Sequence, residues 1–115
     1  MQPITVSTTD ASGGTTYSRK VRMDNFSAAQ AVVQVNVTGT ATYTVETSMD
    51  DPDSPFAPVA VASMTWLPAS DTNVVAKTAS AGGSFTAVPT FVRLKQTAGS
   101  GSCTMTISQF SNAPL

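Results

Sequence analysis

Asp50, Asp51 and Asp53, with Glu46 upstream, form the densest group of chemistry-bearing side chains in this sequence. Hard cations such as Ca2+ take carboxylate oxygens from flexible turns, so the three aspartates are a candidate cation site. An EF-hand loop needs acidic residues at alternate positions and a glycine at the bend. Here Pro52 and Pro55 interrupt the run instead. The plainer reading is that the aspartates cap turns and keep a loop wet. The opposite charge is gathered at Arg19, Lys20 and Arg22, which read as a solvated or interface edge. Together with Phe56, these six charged residues are the candidate contact positions, and no cofactor is expected.

Other catalytic chemistries lack their parts. The chain has no histidine, so neither Cys103 nor any serine has an imidazole base. Only Lys20, Lys77 or Lys95 could serve a serine nucleophile, and none follows a serine at Ser-x-x-Lys spacing. Cys103 sits in an alternating run, where a buried thiol acts as a small hydrophobe. Gly82-Gly83 and Gly99-Ser100-Gly101 lack the lysine and helix that would make a phosphate-cradling loop. A carboxylate pair for glycoside hydrolysis would need an apolar cleft, and a chain with seven acids has little room for one. The chain reads as a non-enzyme.

Composition points the same way. At 115 residues it is one domain, long enough to bury roughly two thirds of its unfolded surface. Only 11% of residues are charged, so Ser, Thr, Gln and Asn must supply most of the polar surface. Such a surface is cheap to desolvate and suits close packing against neighbours. Six basic residues and a net charge of -1 argue against nucleic-acid binding. No apolar run approaches the ~20 residues of a membrane helix, and Met1-Gln2-Pro3 does not open a signal peptide. The chain is therefore expected to be made in the cytoplasm and to join something larger, with no membrane partner.

The elements that must position these groups are strands. Gln30–Thr38 and Thr40–Ser48 alternate apolar and polar residues and meet at Gly39, which predicts a β-hairpin. Further runs lie at 3–9, 17–24, 59–67, 71–78, 84–88, 90–96 and 103–110. Asp24-Asn25 reads as a turn, and 26–31 as a single helical turn or, the preferred reading, a lead-in to the next strand. Residues 79–83 read as a small-residue loop, and 97–102 as a hairpin loop. Trp66, the lone tryptophan, is read as a core anchor. The expected fold is all-β: a single-domain antiparallel β-sandwich or jelly-roll of about eight short strands. Residues 1-24 are expected to form an N-terminal strand or arm with a flexible loop, 25-110 the sandwich, and 111-115 a tail.

The same residues carry a resemblance. V-N-V-T-G-T-A-T-Y-T-V-E-T-S-M-D-D-P, then Trp66, then F-V-R-L-K-Q-T-A-G-S-G-S-C-T-M-T-I, resembles small virion proteins of tailed bacteriophages. The likeness covers Ala31 to Gln109. It implies a capsid decoration or cement protein that binds the major capsid protein as a homo-oligomer, often a trimer in such proteins, and resides in the virion. A head-tail connector or tail component is the alternative it leaves open. A carbohydrate-binding β-sandwich module is a third expectation, with Tyr17, Tyr43 and Trp66 as the available stacking rings. With aromatic content at 7%, such rings are scarce.

Overall fold

The structure is a computed structural model that describes residues 3–23, 30–85 and 88–110. The expected Asp24-Asn25 turn, residues 26–29 of the lead-in and the 111-115 tail lie outside the described residues. The described chain is all-β and forms two antiparallel sheets that face each other as a β-sandwich. Its strands are β1 (Ile4–Thr9), β2 (Thr16–Tyr17), β3 (Val21–Arg22), β4 (Gln30–Thr38), β5 (Thr42–Ser48), β6 (Leu67–Pro68), β7 (Ala81–Phe85), β8 (Phe91–Ala98) and β9 (Ser102–Phe110).

One sheet has the order β1-β9-β4-β7 and the other β2-β8-β5-β6, with β3 also on β8. Along β8, Tyr17 pairs with Lys95 and Val21 with Val92. Four steps on one strand match three on the other, so β2 and β3 are two halves of one strand position separated by a bulge. Ser18 holds the break closed: its N–H donates to Leu94 O at 2.8 Å, and its Oγ accepts from Leu94 N at 2.9 Å. Eight strand positions result, and they pair first with last, second with seventh, third with sixth and fourth with fifth. A long antiparallel ribbon paired in this way and rolled over so that β4 meets β9 and β5 meets β8 is a jelly roll.

This winding corrects the expected hairpin. β4 and β5 lie in different sheets, and Gly39, at φ 78°, carries the chain across the sandwich instead of folding it back beside itself. The 97–102 segment does the same between β8 and β9. Alternation fixes which residues face inward, but two strands with one buried face can satisfy it side by side or face to face. Here Val33 and Val35 belong to one sheet and Tyr43 and Val45 to the other, all 3% exposed or less. Leu94, Val92, Met105 and Ile107 complete the centre, each fully buried and contributing about 1.5–3 kcal/mol.

The crossings are close. A Cβ on Gly99 would lie 2.2 Å from Thr40 O, and one on Gly101 would lie 2.3 Å from Thr38 O. Beneath them sits Gln96, fully buried, which accepts from Thr8 Oγ1 at 2.9 Å and donates to Gly99 O and Gly101 O at 3.1 and 3.0 Å.

Other expectations shift. Residues 3–23 lie within the sandwich: β1 pairs with β9 from Ile4 to Thr9, and Val6, Val21 and Met23 are in the core. The 59–67 run contributes only Leu67, the first residue of β6, as strand, after a short 3-10 turn at Val61–Ser63. The 71–78 run holds a second such turn, Thr72–Val74. The expected 79–83 loop is largely β7, since two glycines and an alanine can be strand when β4 offers them a partner.

Candidate interaction surface

β5 ends at Ser48, and the chain returns to regular strand only at Leu67. This connection is longer than the ~12–15 residues beyond which structureless loops are usually functional. Local hydrogen bonds shape its first half. Ser48 Oγ accepts from Asp50 N at 3.2 Å, and Asp51 Oδ1 accepts from Asp53 N at 2.9 Å, an Asx turn built around Pro52. Val59 N returns to Asp51 O at 3.2 Å, which closes the tip into a compact lobe. Asp50 faces the other way, and its Oδ2 accepts from the backbone of Thr65.

Two arginines on the β2-β8-β5-β6 sheet hold this connection. Arg22 on β3 donates to both oxygens of Asp51, at 2.8 and 3.2 Å, and to Asp53 Oδ2 at 2.9 Å. Its guanidinium lies 4.6 Å from the Phe91 ring centre, and Lys20 Nζ lies 5.3 Å from it. The Arg22 hydrogen bonds, with the Asp53 N–H, hold the Asp51 carboxyl below the usual carboxylate range; Arg22 is shifted upward in turn. Arg93 on β8 sits between two rings, 4.1 Å from Tyr17 and 4.2 Å from Trp66. Its Nε donates to Glu46 Oε1 at 2.9 Å, and Lys95 Nζ reaches Glu46 Oε2 at 3.8 Å. The Glu46 side chain is only 8% exposed. A charge that deep is tolerable because two cations face it.

The candidate contact residues therefore converge in part. The structure brings Arg22 to Asp51 and Asp53, so the basic segment and the acidic loop are one feature. Arg19 and Lys20 border it, lining a surface hollow with Ser18, Val61, Trp66 and Arg93. The three aspartates do not point together: Asp50 turns to Thr65 while Asp51 and Asp53 turn to Arg22. Among the described residues no cluster of three metal-ligating side chains occurs. Phe56 stands apart at the tip, 96% exposed. Met49 and Val61 on the same connection, and Leu67 just after it, are also exposed, so this segment is apolar at several points.

Trp66 is not a core anchor. It is half-buried and covers Arg93 from outside the sheet. Alternation placed a tryptophan near a strand end; it could not show that the neighbouring strand would offer a guanidinium. The Tyr17–Arg93–Trp66 stack with Glu46 was missed for that reason. The one available signal was that the β5 and β8 runs carry opposite charges on the faces away from the core. Tyr43 is fully buried, with its hydroxyl donating to Ala79 O at 2.9 Å. Of the three rings available for sugar stacking, one is therefore inside and two each lie against Arg93. Cys103 is fully buried, and burial pushes its thiol pKa up, away from the thiolate a nucleophile needs. No protein-family model matches the chain, and no curated protein matches it.

Proposed function

We propose that this protein is a non-enzymatic structural component of a phage particle, a capsid decoration protein that docks on the major capsid protein and associates with copies of itself. The observation that carries the reading is the Met49–Trp66 connection: a long loop clamped by Arg22 and Arg93 that leaves Phe56 almost wholly in water. A solvated phenylalanine on an ordered tip favours burial elsewhere, because its ring loses little freedom on binding and removes apolar area from water. Aromatic anchors of this kind dominate binding energy where they meet a pocket. The jelly-roll winding supports the reading by analogy only, since viral capsid domains and lectins share it. Many modest contacts repeated over a shell sum to strong retention.

The test is quantitative mass spectrometry of purified particles, with copy number measured against the major shell protein, followed by rebinding to stripped capsids. A copy number comparable to that of the shell protein is expected. Phe56→Ala is expected to weaken rebinding at least about tenfold. Absence from the particle overturns the proposal; a copy number far below that of the shell protein replaces decoration with a head-tail or tail position.

A further inference from the structure

Sheet edges present unpaired backbone groups, and folded proteins ordinarily blunt them with charge, proline, bulges, shortness or a covering segment. Three of the four edges here are blunted. The β2–β3 edge is broken by its bulge and carries Arg19, Lys20 and Arg22. β6 is two residues long, and Pro68 has no N–H to offer. On β7 the outward N–H of Ser84 already donates to Asp71 Oδ2 at 2.9 Å, with the Thr72–Val74 turn packed alongside. The fourth edge is β1. Ile-Thr-Val-Ser-Thr-Thr has no charge, no proline and no bulge along its six-residue register with β9. No hydrogen bond to its free side occurs among the described residues.

We propose that β1 pairs antiparallel with β1 of a second copy across a two-fold axis, joining two four-stranded sheets into one of eight. Two features favour a second copy over an unrelated strand. Residues at a two-fold axis meet their own symmetry mates, so a charge there would oppose itself, and β1 has none. The ends of β1 also differ in sign. Ile4 shares a hollow of about 250 Å3 with Arg19, Lys20, Val21 and Arg22; Arg22 is already paired with Asp51 and Asp53, so Arg19 and Lys20 supply the positive end. Thr9 runs into Asp10, whose carboxylate is held below its usual pKa by the Ser12 side chain and N–H. Antiparallel pairing sets each copy's basic end against the other's Asp10, twice over.

Opposed residues must point to the same face, so the axis passes through Val6 or Ser7. Either register brings the two exposed Ser7 residues opposite or diagonal to each other, within roughly 5–8 Å. This deepens the self-association in the reading above but does not depend on shell binding, so it is tested in solution. Sedimentation velocity of the full chain is expected to show a dimer. Ser7→Lys and Ser7→Asp are each expected to weaken dimerisation at least about tenfold, and an equimolar mixture of the two to restore it. Asn36→Lys, on the same outer face but away from the edge, is expected to leave the dimer intact. A monomer or a trimer in the unaltered chain, no rescue in the mixture, or loss of the dimer in Asn36→Lys instead of Ser7→Lys would overturn the proposal. Particle binding that persists after such a result leaves the decoration reading standing.

Discussion

β1, β4, β7 and β9 contain no Asp, Glu, Lys or Arg, whereas the facing sheet carries Arg22, Glu46, Arg93 and Lys95. The two outer faces are therefore built on different chemistry. On the uncharged sheet, threonines, serines, Gln34 and Asn36 meet across the strands: Thr5 faces Thr106, and Gln34 faces Thr106 and Gly82. Such hydroxyl and amide groups exchange water for a neighbour at small cost. On the charged sheet, the ions face one another and the long loop. Net charge at each pair is small, so these groups organise the molecule more than they advertise it. The comparison teaches that low charge in this chain is a division of labour: one sheet kept plain for packing, one spending its charges on holding Met49–Trp66.

Removing the central anion is the strongest way to break that comparison. Glu46→Ala leaves Arg93 and Lys95 without a counter-charge where Arg93 is only 20% exposed. A loss of about 2–4 kcal/mol in denaturant unfolding is expected, most of it the cost of the stranded guanidinium. Asn36→Ala on the plain sheet should shift stability by no more than ~0.5 kcal/mol. If the two substitutions cost the same, the charged face is ordinary solvated surface and the division fails.

A smaller loss is expected where the sheets are joined. Gln96 stands on β8 but accepts from Thr8 on β1, and its amide donates to two carbonyls of the 97–102 crossing. Gln96→Leu keeps the volume, strands the Thr8 hydroxyl and removes one of the two donors on each glycine carbonyl, where Ala11 N and Asp10 N remain, so about 1–2 kcal/mol should be lost. Thermal unfolding of Gln96→Leu beside Thr8→Val measures it. If Gln96→Leu costs nothing, apolar contacts alone hold the sheets in register.

How much of this the residues disclosed follows the range of each interaction. Period-two alternation in 30–38, 42–48 and 103–109 placed the inward residues correctly, because which face is buried is a local property. The winding was not legible: Gly39 and the 97–102 glycines read as hairpin turns, and only strand pairing far along the chain shows that they cross between sheets. The first three residues of β7 were missed, and its start read only from Ser84, because Gly82 and Gly83 have no strand preference of their own. The acidic loop and the Arg19–Arg22 segment were each visible, but their meeting depends on β3 and β5 both flanking β8. Trp66 and Arg93, far apart in sequence, met for the same reason.

The smallest expected effect concerns the loop itself. Arg22 holds Asp51 below its ordinary pKa, so the pair contributes stability that is present above the ordinary aspartate value and is lost as pH falls through the lower folded one. The pair is exposed, and its loss should barely move global unfolding. It should instead free the tip: in acid, or in Asp51→Asn at neutral pH, amide exchange at Asp53–Val59 should quicken while the β8 amides stay protected. The neutral variant should follow the acid behaviour without its pH dependence. If the tip stays protected in both, Arg22 is a bystander, and the Asx turn with the Asp50–Thr65 contact is what presents Phe56.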